Sequence, residues 1–343
     1  MCTVSHKKSS LTIEMPGFFT TVQDAGRKGF QQFGMPVAGV MDYESYILGQ
    51  ALVGNDTEEG ALECTMLPPT IKVEAPCIVA FTGADMAPSI NGIIVPRYIP
   101  FACQEGDIIS GSYTQCGMRM YISFSGGIDV PSINGSVSTH TKAHIGGLEG
   151  RALVKGDTLF LKNTVSKPVE ILSCAYMYHH QDLYNLVLRN RGGQYIERTY
   201  RVVLGPQADG FTTKGIKTLC TSPYILTPNS DRMGFRLEGA KIEHKESADI
   251  ISDGAVFGSI QVPSDGQPII LMADRQTTGG YTKIGTVITR DLVRLSQATI
   301  GQSIQFEIIT VEESQRIYRE YRAKLDEQIK VAKQQSPYVF TCM

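Results

Sequence analysis

Hydrophobic and polar positions alternate along much of this chain. Ile71-Lys72-Val73-Glu74, Met118 to Phe124 and Ile304-Gln305-Phe306-Glu307-Ile308 each alternate, or nearly so, which is the signature of an antiparallel strand with one buried face. The pattern predicts a mostly β protein. One local device occurs three times, at Glu105-Gly106-Asp107, Lys155-Gly156-Asp157 and Ile300-Gly301-Gln302, each leading into an apolar strand. A glycine free to take positive φ turns the chain, and a polar residue opens the strand, as the corners of barrels and sandwiches require. The Gly156 and Gly301 copies each follow a loop or helix-compatible segment, 146–154 and 289–299, and precede a last apolar strand. This spacing predicts two β domains of similar size, over 11–165 and 199–310, with duplication left open. Between them, 166–198 contains Pro168, His179-His180 and the polar run Arg189 to Gln194 and reads as a connector.

The period changes once. From Val311 to Gln335, Ile317, Tyr321, Leu325, Ile329 and Ala332 recur at three- or four-residue spacing among charged residues, which predicts an amphipathic helix over 311–335.

Composition narrows the class. The chain has 343 residues, 42% hydrophobic and 19% charged, as in ordinary globular proteins. Its net charge of −2 supplies no positive field for nucleic acid or anionic lipid. The 34 glycines are an excess for this length, and tryptophan is absent. Lys7 and Lys8 lead into Ser9 and Ser10 rather than into an apolar stretch, so no signal peptide is read and a cytoplasmic location is expected. Apolar runs such as Pro268 to Ala273 fall far short of a membrane span. The eight cysteines are scattered without a CxxC pair and are expected to be small buried hydrophobes. His140 and His144 have metal-compatible spacing only on a helix, and Gly135, Gly146 and Gly147 argue for a polar loop instead. No metal-ligand set is predicted.

The common catalytic signatures are missing. There is no GxxxxGK[ST] loop, and Gly146-Gly147-Leu148-Glu149-Gly150 lacks the spacing of a dinucleotide fingerprint. Neither GxSxG nor HExxH occurs. What stands out is a set of five clusters dense in glycine and polar residues: Thr20 to Gly29, Gly34 to Asp42, Asn229 to Gly234, Gly258 to Pro263, and Ala273 to Tyr281. Such loops set donors and acceptors beside exposed backbone N–H groups, which suits a small planar carboxylate or amide. In any one cluster the Asp and Arg side chains could equally pair and brace a turn. By residue type, Asp24, Arg27, Arg232, Asp274 and Gln276 are the candidate catalytic residues. Gln23, Asp42, Gln261, Thr277, Gly279, Gly280 and Tyr281 are the candidate substrate contacts.

These same clusters carry a family likeness. TVQDAGRKGFQQFGMPVAGVMD (Thr21 to Asp42), VGNDTEEGALECT (Val53 to Thr65), FTGAD (Phe81 to Asp85), SFSGGIDVP (Ser123 to Pro131), SDRMGFRLEG (Ser230 to Gly239) and the stretch from Gly258 to Leu292 that includes DRQTTGGY resemble allophanate hydrolase subunit 2. That family includes the C component of bacterial ATP-dependent 5-oxoprolinase, an antagonist of a sporulation-kinase inhibitor, and the carboxyltransferase domain of urea carboxylase. The resemblance runs from about Leu11 to Ile309. It implies two cyclophilin-like β-barrel domains, here followed by the C-terminal amphipathic helix. It also implies a direct partner, a homologue of the 5-oxoprolinase B component, with the A component completing an ATP-driven opening of 5-oxoproline to glutamate. ATP, with magnesium, would act in that complex. Phosphorylation at the amide oxygen would make the unreactive lactam open to water, and that step needs groups that neutralise phosphate and carboxylate. Arg27, Arg232, Gln261, Gln276 and Thr277 are suitable donors, and Asp24 or Asp274 could orient a proton or a metal. In the competing carboxyltransferase branch, carboxybiotin would have to arrive on another chain, because no biotin attachment site is read here. A third branch is a regulator that binds a kinase-inhibitor protein without chemistry.

Overall fold

The computed structural model describes residues 9–55, 59–162, 170–173, 183, 185–187 and 198–341, of which 170–173 are described by backbone alone. Most of the expected connector, and Cys2, Cys174 and Cys342, lie outside the described residues. The chain divides into two compact units, and the division is not contiguous in sequence. The first comprises residues 1–26, 43–192 and 324–343, and the second comprises 27–42 and 193–323.

In the first unit the strands form two sheets. A six-stranded sheet runs Thr158–Phe160, Ser10–Met15, Thr70–Val73, Ile108–Ser110, Ser89–Ile90, Ile93–Ile94. A seven-stranded sheet runs Glu170–Ser173, Tyr338–Thr341, Pro100–Cys103, Cys77–Asp85, Cys116–Phe124, Ala61–Thr65, Phe19–Gln23. Leu11, Ile13, Ile71 and Ile109 of the first sheet share one core with Val22, Leu62, Phe81, Phe101, Met120 and Ile122 of the second. The alternation in 70–73 is read out directly, with Ile71 and Val73 buried and their neighbours half-buried. Burying one face of each sheet against the other removes both apolar surfaces from water, which drives a two-layer arrangement. The helix Tyr43–Leu52 is buried almost throughout and packs on strands 77–85 and 116–124.

The second unit is a closed ring of seven strands: Thr199–Leu204, Lys283–Val287, Ser259–Gln261, Ile269–Leu271, Gly234–Gly239, Tyr224–Leu226 and Ser303–Ile308. A parallel pairing of 199–202 with 305–308 closes it. Tyr200, Val202, Phe235, Ile260, Ile270, Ile284, Ile304 and Phe306 fill the interior, one side of the period-two pattern. Two expected barrels thus take two forms, one a ring and the other a pair of sheets over one core. A separate two-stranded antiparallel sheet pairs Asp249–Gly254 with Thr278–Tyr281. Met41 lies in the core of this second unit, and so do side chains of the short helix Thr289–Leu295.

The repeated glycine device has one geometry in all three copies. Gly106, Gly156 and Gly301 have φ of +95°, +91° and +85°, a region that other residues enter only at a cost. The residue after each glycine accepts a backbone N–H from three residues earlier: Asp107 from Gln104, Asp157 from Val154, Gln302 from Thr299. Its own N–H returns to the carbonyl of that same residue. The polar residue therefore staples the turn, and the apolar strand follows.

The helix Val311–Gln335 has the expected bounds. Ile317, Tyr321, Leu325 and Ala332 are buried as the spacing requires, but Gln328 goes inside where Ile329 is only half-buried. Residues 141–144 form turns rather than a helix, so His140 and His144 do not share a helix face. Cys64, Cys77 and Cys103 are buried, whereas Cys116 is exposed and Cys220 half-buried. Burial pushes the Cys64 thiol far up, which leaves it a poor nucleophile. Among the described residues no helix is long and apolar enough to cross a membrane.

Candidate functional site

The polar clusters singled out in the sequence end up in two kinds of surroundings. In the first unit, Gln23 and Asp24 end the strand Phe19–Gln23 and are buried. Asp24 Oδ1 accepts from Ser136 Oγ at 2.6 Å, Ser138 Oγ at 2.5 Å and Gly26 N at 2.8 Å, and Oδ2 accepts from Val137 N at 2.6 Å. A carboxylate offers about four acceptor positions. All are engaged, so this carboxylate clamps the 136–138 loop to the strand end. Gln23 Nε2 donates to Thr21 Oγ1 and Thr139 O, each at 3.0 Å, and adds to the same clamp.

The remaining candidates belong to the second unit. Arg27 is fully buried, and its backbone N–H donates to Val37 O at 2.7 Å. Asp42, also fully buried, accepts from Gln297 Nε2 at 2.8 Å. Arg232 makes a fork-to-fork pair with Asp274, Nε to Oδ2 at 3.0 Å and Nη2 to Oδ1 at 2.8 Å, and Nη2 also donates to Gly39 O at 2.6 Å. This buried bidentate pair is a strong positional lock. It fastens the 27–42 segment to the loops after strands 224–226 and 269–271. Arg232 and Asp274 therefore act on one another.

A third group gathers at the paired strands 249–254 and 278–281. Gln261 is buried, and its Nε2 has no hydrogen-bond partner among the described residues. A Cβ placed on Gly279 would collide with that nitrogen and lie 3.6 Å from Gln276 Nε2. The structure thus brings Gln261, Gln276 and Gly279 together, and the glycine leaves the end of the Gln261 amide its present place. Gln276 is exposed, Thr277 and Gly280 are half-buried, and Tyr281 is exposed. Across the ladder Gln261 pairs with Lys283. Lys283 Nζ stands 3.0 Å from Asp253 Oδ2, which also accepts from Gln207 Nε2 at 2.8 Å. The Lys283 ammonium and these hydrogen bonds hold the Asp253 carboxyl down at about 2.

Sequence reasoning passes over Lys283, Asp253, Gln207 and, most importantly, Arg275. Arg275 is 8% exposed, yet its guanidinium meets only carbonyls, Ala255 O at 3.2 Å and Met272 O at 3.3 Å, with the Phe257 ring 5.7 Å away. No carboxylate pairs with it among the described residues. Burial lowers its pKa to about 10. Asp274 and Arg275 are adjacent in sequence, but neighbouring side chains leave the backbone in different directions, and Asp274 is taken by Arg232. That count of partners is the signal that could have found Arg275.

Asp24 has its acceptor positions filled by four donors, and Asp274 is paired with Arg232 through both oxygens. Among the described residues no group of three or more His, Cys, Asp or Glu side chains is placed to hold a metal ion.

The carboxyltransferase domain, subdomain A and B, family matches residues 33–308. The chain is 36% identical to the C component of 5-oxoprolinase from Escherichia coli K12 over 304 residues, 89% of this chain and 93% of that protein. It is 33% identical to the same component from Haemophilus influenzae over 307 residues, 90% and 94% of the two chains. The crystal structure of the K. lactis urea amidolyase superposes with a TM-score of 0.80 at 25% identity, covering 95% of this chain and 20% of that one. The likeness read from the TVQDAGR and DRQTTGGY strings therefore extends to the fold, and the chain belongs to the carboxyltransferase subdomain A and B family.

Proposed function

We propose that this chain is the C component of an ATP-dependent 5-oxoprolinase and works with homologues of the A and B components to open 5-oxoproline to glutamate. The observation that carries this reading is the extent of the match. The two 5-oxoprolinase components align over nearly their whole length and nearly all of this chain. The reaction would transfer a phosphoryl group to the lactam oxygen, add water at that carbon, break the C–N bond with a proton going to nitrogen, and release phosphate with a second water.

This chain's residues bind and orient in that scheme. The Gln261 and Gln276 amides can donate to carbonyl or carboxylate oxygens, and the half-buried Thr277 follows Gln276 in the chain. Arg232 and Asp274, locked together, hold the 232 and 274 loops in place. Asp24, with four donors, and Asp274, paired with Arg232, brace their loops.

A second reading, carboxyl transfer from a biotinylated partner, is supported by the family and by a 30% identity to the Saccharomyces cerevisiae urea amidolyase over 91% of this chain. That match covers 17% of the yeast protein. Reconstitution separates the two. With the A and B components present, 5-oxoproline should stimulate ATP hydrolysis and glutamate should appear, while the chain alone should be inactive. Activity with urea and a biotinylated partner, and none with 5-oxoproline, would overturn the first reading.

A further inference from the structure

The second unit holds a buried cation, Arg275, with no carboxylate partner among the described residues. Three other strongly buried cations of the same unit have carboxylate partners: Arg232 with Asp274, Lys283 with Asp253, and Arg294 with Asp291 at 3.5 Å. Arg275 has two carbonyls and one ring. A guanidinium taken out of water with only neutral partners loses hydration that long carbonyl contacts do not fully return. Close by, Gln261 keeps a buried amide N–H₂ with no acceptor among the described residues. The two features are linked through the backbone. Ala255, whose carbonyl holds Arg275, donates its N–H to Thr277 O at 2.9 Å, and two residues further on a Cβ at Gly279 would meet the Gln261 Nε2 and lie 3.6 Å from Gln276 Nε2. The cation, the Gln276 amide and the glycine over which the Gln261 amide lies thus fall within residues 275–279, and no carboxylate among the described residues pairs with the cation.

We propose that Arg275, with the Gln261 and Gln276 amides over Gly279, forms an anion subsite that takes the carboxylate of a small acid. A carboxylate presents two coplanar oxygens to the guanidinium fork and leaves lone pairs for the amides. The subsite deepens the proposed function and rests on it for the identity of that acid, 5-oxoproline. The carboxylate would be gripped here, leaving the lactam carbonyl free for chemistry elsewhere in the assembly.

Calorimetric titration of the full chain, alone and in the reconstituted assembly, tests this with four probes: 5-oxoproline, the carboxylate-free 2-pyrrolidinone, acetate, and inorganic phosphate. Wild type should bind 5-oxoproline at least about tenfold more tightly than 2-pyrrolidinone. Arg275→Gln should remove that difference, and Arg275→Lys, which keeps the charge without the fork, should restore part of it. Gly279→Ala moves only the flexible end of Gln261, and should weaken 5-oxoproline several-fold with the fold intact. Equal affinity for the two lactams, or 5-oxoproline binding unchanged by Arg275→Gln, overturns the subsite. Arg275-dependent binding of phosphate in preference to carboxylate overturns the carboxylate assignment. Turnover of 5-oxoproline with a KM unmoved by Arg275→Gln would refute the subsite and leave the function standing. Arg275-dependent binding of acetate without any 5-oxoproline turnover would do the reverse.

Discussion

Asp24 and Arg275 are both buried charges in glycine-rich loops, and they differ in what surrounds them. Four donors meet the Asp24 carboxylate, two of them hydroxyls and two backbone N–H groups. Arg275 meets carbonyls at 3.2 and 3.3 Å, and no carboxylate among the described residues. A saturated buried charge has its lone pairs committed to the fold and is costly to disturb. An unsaturated one costs stability as it stands, and such costs are tolerated where a ligand completes the shell. Residue type alone places Asp24 among the catalytic candidates and leaves Arg275 out. The count of partners separates a brace from a binding group.

That contrast breaks or sharpens under substitution. The largest effect is expected for Asp274→Ala, which strands the buried Arg232 charge and should cost about 3–5 kcal/mol in denaturant unfolding. Asp24→Ala should follow at about 3 kcal/mol, because it leaves several buried donors without an acceptor. Asp24→Asn should cost less, since one oxygen still accepts. Arg275→Gln should lie within about 1 kcal/mol of wild type, or above it, because it removes an uncompensated charge. A loss comparable to that of Asp24→Ala would place Arg275 among the braces.

Local features of the fold were legible where a short window decides them. The helix over 311–335 follows from apolar spacing, and only its turn at Gln328 and Ile329 departs from the expected stripe. The strands at 70–73 and 303–308 follow from alternation, whereas 116–124 is a strand buried on both faces from Gly117 on, because the helix Tyr43–Leu52 packs on it, and not the half-buried strand expected. The three turn glycines follow from the polar residue that staples each turn. Long-range pairing was not legible. Nothing in a window around Asp24 points to Ser136, Val137 and Ser138, and nothing around Asp274 points to Arg232. The return of 27–42 to the second unit depends on such pairs, Gly39 with Arg232 and Asp42 with Gln297. For the same reason the sequence picked out clusters and could not say which of their residues are committed to the fold.

The central claim, that the unsaturated buried Arg275 and Gln261 bind substrate whereas the saturated Asp24 holds the fold, is tested most directly by one paired measurement. In the reconstituted assembly, the KM for 5-oxoproline and the thermal midpoint are determined for Asp24→Asn and Arg275→Gln side by side. Arg275→Gln should raise KM by about tenfold or more without lowering the midpoint, and Asp24→Asn should lower the midpoint. An Arg275→Gln assembly with wild-type KM and a lowered midpoint would contradict the account.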